Sequence, residues 1–317
     1  MRGEDIARMP EAGLVAADES SGLELKREAR RGHFAMLAFS ALVAGSFSLG
    51  GMVANEIAPI ALNTLRFAIA ACVMGALALA TGRISRATFR APWRYGLLGF
   101  FLAIYFVLMF EGLKTAEPVS SAAVFTLTPV MSAVFGWILM RQITTARMAL
   151  ALAIGGAGAL WVIFRADFEA LLAFRIGPGE AIFFWGCMSH ALWTPLSRFL
   201  NRGEHPFAYT CAMLIAAFFI VLAYGWRDIF ATDWTALSPM VWVTIAYTSL
   251  VAGSGTFTLM QYATLRLPSA KVLAYTYLAP SWVILWEIAF GNGVPPVGIL
   301  AGLGLTIVAL WMLLKDE

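Results

Sequence analysis

Apolar residues gather in long blocks along this chain, and polar residues fall in short clusters between them. The blocks do not alternate with period two, as half-buried strands would. Each is about as long as the roughly 20 apolar residues that carry a helix across a hydrocarbon core about 30 Å thick. Ten such stretches are predicted, at about 34–54, 58–80, 95–113, 117–139, 146–164, 179–200, 206–224, 238–263, 269–290 and 296–314. The third and fourth are joined by a few residues around Lys114 and Glu117, and the last two by 291–296. Connections this short make neighbouring helices antiparallel.

Residues 1–33 break the pattern. They hold seven acidic and six basic residues and no apolar core of a cleavable signal. A solvated tail is expected there, with a short helix around Leu23–Arg30.

Composition narrows the class. Sixty per cent of the 317 residues are apolar and 13% are charged, against about 25% charged in an ordinary soluble domain. This excludes a soluble enzyme, a disordered chain and a nucleic-acid binder with a basic face. The three cysteines, Cys72, Cys187 and Cys211, sit within apolar runs and suggest neither a disulfide framework nor a metal site. Sixteen of the 22 Lys and Arg residues fall on the side of the N-terminus, and only Lys114, Arg165, Arg175 and Arg227 fall in the opposite loops. By the positive-inside rule both termini are expected in the cytoplasm. No Walker A motif, zinc-protease motif or nucleophile elbow is present. No enzyme activity and no cofactor are therefore expected, and transport would be secondary.

Sliding the chain by about 147–150 residues brings Pro59 over Pro206, Pro118 over Pro268, Thr126 over Thr276, and Ala159-Leu160-Trp161 over Ala309-Leu310-Trp311. The matches are collinear and divide the ten stretches into five and five. Five is odd, so a second copy enters the membrane from the other side. The predicted fold is an all-α membrane protein of ten transmembrane helices in two inverted five-helix repeats, at 34–164 and 179–314. In transporters this arrangement places the substrate near the midplane between the halves.

Several residues in order along the chain carry a resemblance. Pro59, six residues on to Arg66-Phe67, resembles a second-helix signature. Pro129 in TLTPV and Pro280 in YLAPS resemble a proline of the fourth and ninth helices, and Ala191-Leu192-Trp193 with Arg198 resembles the start of a second repeat. Over residues 34–314 the pattern resembles the drug/metabolite transporter superfamily in its ten-helix EamA-type branch. Two features depart from it. Arg141-Gln142 and Asn292-Gly293 stand where relatives often carry Gly-Glu, and the usual first-helix Trp-Gly is absent. The resemblance implies a bacterial inner-membrane exporter of a small organic solute, with an amino acid or similar amphipathic molecule as the expectation. The expected partners are that solute, the lipid bilayer and a proton as coupling ion, with no nucleic acid, in a monomer or homodimer.

Intramembrane charges are the first candidates, since each costs at least about 2.5–3.5 kcal/mol at a helix centre. Arg66 could hold an anionic group or fix packing, and Asn63 and Phe67 share its helix face. Glu287 could carry a proton or sit at the interface, where Glu111 and Glu180 are also expected. Lys271 is expected to snorkel. His190, near the middle of the sixth span, is a candidate for substrate or proton binding, with Trp193 and Trp185 as cavity neighbours. Pro129 and Pro280 each free a carbonyl in mid-helix, and a bend repeated in both halves suits gating. Thr126, Tyr275 and Tyr277 beside them, and Tyr105 and Tyr247 on neighbouring helices, complete the expected substrate-binding set. Ser120, Ser121, Thr128 and Thr276 are further polar residues before the two prolines, and Phe106 and Ser254 are expected companions on the third and eighth spans. Ala151, Gly155 and Ala159, with Gly298 and Gly302, are expected to allow close helix packing. A lipid flippase or scramblase, and a membrane partner without transport, stay open as alternatives.

Overall fold

In the computed structural model, residues 9–82, 84, 86–141, 143, 145–173, 176–264, 266–267, 272 and 274–314 are described; for 9–25, 86, 87, 261 and 264 this holds for the backbone alone. Lys271 and Pro268 lie outside the described residues. The described chain is helical almost throughout and contains no strand. The first half consists of α1 (Met9–Val53), α2 (Pro59–Ala80), α3 (Trp93–Gly112), α4 (Pro118–Phe125), α5 (Thr128–Met140) and α6 (Ala146–Ile163). A short α7 (Phe168–Leu172) leads to the second half. There follow α8 (Pro178–Leu200), α9 (Pro206–Ala231), α10 (Pro239–Ala246), a π-helical segment (Tyr247–Gly255), α11 (Thr256–Thr264), a 3-10 turn (Tyr275–Leu278), α12 (Ala279–Ala289) and α13 (Val297–Leu314). Proline opens many of these helices, as at Pro59, Pro118, Pro178, Pro206 and Pro239. Its missing N–H costs nothing in the first turn.

Among the described residues, eight stretches are long and apolar enough to span a membrane. Two more complete the predicted order. The 23-residue α8 is continuous but carries His190, Pro195 and Arg198, and 275–289 is helical through the 3-10 turn and α12.

The packing repeats between the halves. α2 lies on α9, and α6 on α13. α3 lies on α8 as α11 lies on α1, and α3 on α9 as the π segment lies on α2. α4 and α5 lie on α8 as α12 lies on α1. Exchanging each span for its partner five positions on turns one contact into another. That is the pattern of a two-fold axis relating an inverted pair.

Small residues set the closest approach. A Cβ on Gly158 of α6 would lie 2.6 Å from the Gly302 carbonyl of α13, and one on Gly302 would lie 2.7 Å from the Gly158 carbonyl. In lipid, where the hydrophobic effect does not drive helices together, such contact is a main source of cohesion.

Both expected proline bends are breaks. In the fourth span α4 ends at Phe125 and α5 starts at Thr128. Pro129 cannot donate to the Phe125 carbonyl, and the Thr128 hydroxyl donates to it instead. In the ninth span the equivalent stretch is the 3-10 turn before Pro280, where Ala279 N–H donates to the Thr276 carbonyl. The π segment of the eighth span has no counterpart in α3 and was not foreseen from hydropathy. Helix α1 also starts earlier than its apolar block. It runs unbroken through residue 33, and an ion pair of Glu28 with Arg266, at 2.7 Å, ties its exposed part to the turn after α11.

Candidate functional site

Among the described residues the halves enclose a cavity whose empty space, with the open solvent at its mouth counted in, is about 1070 Å³. Its lining runs from mid-bundle toward the end that carries the N-terminus, here called the tail end. From the first half come Arg66, Tyr105 and Phe106; from the second come His190, Trp193 and Thr210. Among the described lining residues Arg66 is the one Lys or Arg, and no Asp or Glu lines the cavity.

Arg66 is 3% exposed, in the middle of α2. Its guanidinium lies 3.6 Å from the centre of the Phe106 ring, a cation–π contact. It makes no ion pair among the described residues, and its Nη1 is buried without a hydrogen-bond partner. One turn away, Asn63 Nδ2 donates to the Pro59 carbonyl at 2.8 Å and to the Phe106 carbonyl at 3.3 Å, fixing α2 against α3 beside the arginine.

An unbroken series of rings leads from Arg66 across the cavity. Phe106 and Tyr105 have centroids 4.6 Å apart, Tyr105 and His190 4.5 Å, and His190 stacks on Trp193 at 5.5 Å. His190 Nδ1 is buried without a partner, and so is Thr210 Oγ on α9. Trp193 Nε1 points at Met213 Sδ, 3.2 Å away. The remaining wall is mostly apolar, with Met36, Met74, Leu102, Phe257 and Met260, and carries the hydroxyls of Ser46, Thr194, Ser254, Thr256 and Thr276.

On the side of the opposite or far end, Phe47 packs on Phe125 and Phe183, and these two pack on Tyr105; Phe125 is the one of the three that lines the cavity. All three phenylalanines are at most 4% exposed. They close the bundle on that side.

Of the residues expected from sequence, the cavity brings together Arg66, Tyr105, His190 and Trp193. The others are placed elsewhere. Tyr275 OH meets His33 Nδ1 at 3.0 Å, outside the cavity lining. Tyr277 is fully buried, its ring pressed against Gly155 of α6. Thr126 donates back to the Ala123 carbonyl at 2.7 Å. Tyr247 donates to the Leu42 carbonyl at 2.8 Å and lies over Gly45, where a Cβ would strike its ring. Pro129 and Pro280 open α5 and α12. Glu287 accepts from Asn292 Nδ2 at 2.7 Å, beside a far-end depression with Lys114 and Glu117. Trp185 is 63% exposed on the outer surface. Glu111 is half-exposed and paired with Lys114, but Glu180 is only 4% exposed. Thr276, Phe106 and Ser254, also expected from sequence near the cavity, line it as well, whereas Thr210 and the π geometry around Ala252–Gly253 have no signal in the sequence.

Polar ties join the halves at both ends. At the tail end Arg94, in the first turn of α3, pairs at 2.6 Å with Glu204 between α8 and α9, their side chains 0% and 2% exposed. Arg94 also donates to the Leu200 and Arg90 carbonyls. Burial alone would raise the Glu204 carboxyl; the Arg94 guanidinium and the Arg202 N–H that donate to it hold it below the ordinary carboxylate range. The second tail-end tie is His33 with Tyr275. At the far end Ser238, before α10, donates to Glu56 between α1 and α2. Ser120, at the start of α4, donates to Glu180, at the start of α8, at 2.8 Å. Span for span, each far-end tie is the two-fold equivalent of a tail-end tie. In one of these pairs the chemistry differs: the buried ion pair Arg94–Glu204 at the tail end corresponds to the exposed hydrogen bond Ser238–Glu56 at the far end.

A bundle of antiparallel spanning helices, repeated by two-fold packing around one internal cavity, defines a polytopic membrane transporter. A family model agrees: the EamA-like transporter family matches residues 30–164 and again 177–315. The chain belongs to that family. It is 25% identical over 284 residues to a protein of Bacillus subtilis (strain 168) named "Uncharacterized transporter YyaM", covering 88% of this chain and 91% of that one. A solved crystal structure superposes with a TM-score of 0.64 at 19% identity, over 90% of this chain and 96% of its own, and so shares the fold.

Proposed function

We propose that this protein exports a small organic metabolite, an amino acid or similar amphipathic solute, by alternating access across a bacterial inner membrane. Both termini lie in the cytoplasm in this reading, as the Lys/Arg bias requires. The observation that carries it is the cavity between the halves. Among the described residues it has one buried cation, mostly apolar walls and an aromatic closure toward the far end. A solute enters from the tail end and lodges among Arg66, His190 and Trp193. It leaves when the far-end contacts part and the tail-end contacts tighten. Thr126, Tyr247, Tyr275 and Tyr277 stay within this proposal as residues of the helices that must move, with Pro129 and Pro280 at the bends. Glu287 and a proton gradient are the candidates for coupling.

The test is efflux from liposomes holding the purified protein and a mixed metabolite pool, read by mass spectrometry with and without a proton gradient. Selective loss of one solute class, slowed in His190→Ala, is the expected result. Movement of labelled lipid with no solute loss would favour a lipid transporter. Movement of neither, by folded protein, would end the transport reading.

A further inference from the structure

Three polar side chains face the cavity with buried atoms that lack a hydrogen-bond partner: Arg66 through Nη1, His190 through Nδ1 and Thr210 through Oγ. Buried polar atoms are nearly always satisfied, so an exception asks for a reason. Of the ten side chains with such atoms among the described residues, these three converge on one space, and one of them carries a full positive charge. Arg66 has an aromatic face beneath it and no carboxylate beside it among the described residues. A guanidinium presents a planar fork of donors that fits a carboxylate or phosphate. Phosphate-sized dianions would bring a second charge into a space whose described lining has one cation and mostly apolar atoms. A carboxylate matches in charge and size.

The opposite pole of the solute is also constrained. An amino acid carries an ammonium group, and burying it unpaired is costly. No Asp or Glu is among the described lining residues. Methionine, leucine and aromatic rings are there instead, and they favour an apolar body.

We infer that the cavity selects an organic monocarboxylate with an apolar or aromatic body whose amino group is absent or capped. The carboxylate sits on Arg66, with Thr210 Oγ–H and the Nδ1–H tautomer of His190 as further donors. This rests on the reading of the cavity as the solute path; within that reading it sets the free amino acid aside and keeps the similar amphipathic solutes that are acids without a free amino group.

The test uses the full chain in lipid nanodiscs and calorimetric binding of four probes: 3-phenylpropionate, its amide, phenylalanine and phenethylamine. The acid is expected to bind at least tenfold tighter than each of the others. Arg66→Gln should bring it down to the level of the amide, and Thr210→Val should weaken the acid and leave the amide unchanged. Equal binding of acid and amide, no binding of the acid at millimolar concentration, or an acid preference that survives Arg66→Gln would overturn the inference. If Arg66→Gln does not fold, the wild-type comparison and Thr210→Val decide alone. Binding is read apart from transport. Acid selectivity without efflux supports the inference and removes the transport reading; efflux of other solutes with no acid preference does the reverse.

Discussion

Replacing Glu204 with Gln removes the carboxylate that neutralises Arg94. The arginine side chain is fully buried and, among the described residues, donates to Glu204 Oε1 at 2.6 Å and to three carbonyls, of Leu200 at 2.6 Å, Arg90 at 3.0 Å and Ala91 at 3.3 Å. Gln keeps the shape and one acceptor but leaves a buried cation. Removing one partner of a buried pair costs about 3–5 kcal/mol. The three remaining carbonyls place this case at the low end, about 3 kcal/mol. At a few degrees per kcal/mol for a chain this size, the protein in nanodiscs should unfold roughly 5–10 °C earlier. Arg94→Met combined with Glu204→Leu should lose less than either single change, because no lone charge is buried. The pH dependence has a definite sign. Because the folded carboxyl is held below its ordinary value, its contribution is complete above the ordinary carboxylate range and is lost as pH falls through the lowered one. The wild type should therefore lose stability in acid faster than Glu204→Gln. Unfolding of Glu204→Gln within about 1 °C of wild type, with parallel acid curves, would refute this reasoning.

Other changes have equally definite expectations. Arg141 ends α5 at φ 54°, a left-handed conformation, so Arg141→Gly should stabilise the protein by about 0.5–1 kcal/mol in thermal unfolding. Gly158→Val forces α6 and α13 apart at their closest point and should destabilise by about 2–3 kcal/mol, with Gly158→Ala less severe. Ser120→Ala leaves the buried Glu180 oxygen without its donor and should cost about 1–3 kcal/mol by the same assay.

The spans and the inverted repeat were legible because hydropathy and parity are properties of the chain itself. Arg66, Tyr105, His190 and Trp193 were legible for a related reason, as polar or amphipathic residues deep in apolar runs. Tyr275 and Tyr277 were placed together in the cavity by proximity to Pro280. Two residues apart in a tight turn they point to opposite sides, one to His33 and one to Gly155, and it is Thr276 between them that lines the cavity. Arg94 and Glu204 both read as loop charges; nothing local joins residues 110 positions apart, and their burial follows from the packing of α3 on α8 and α9. The π segment adds no change of composition for hydropathy to register. Helix α1 continues into the charged tail because strong helix formers there keep the backbone helical once the apolar part is anchored.

The central claim is that the halves part and close alternately around one cavity. The most direct measurement joins Glu56 to Ser238, the far-end tie, as a pair of cysteines in a background without Cys72, Cys187 and Cys211. A short bis-methanethiosulfonate linker, which forms a reducible disulfide with each cysteine and releases methanesulfinate, holds the far end shut, and efflux from liposomes is followed before linking, after linking and after reduction. The account predicts that linking stops efflux and reduction restores it. Efflux at the unlinked rate through quantitatively linked protein would contradict it.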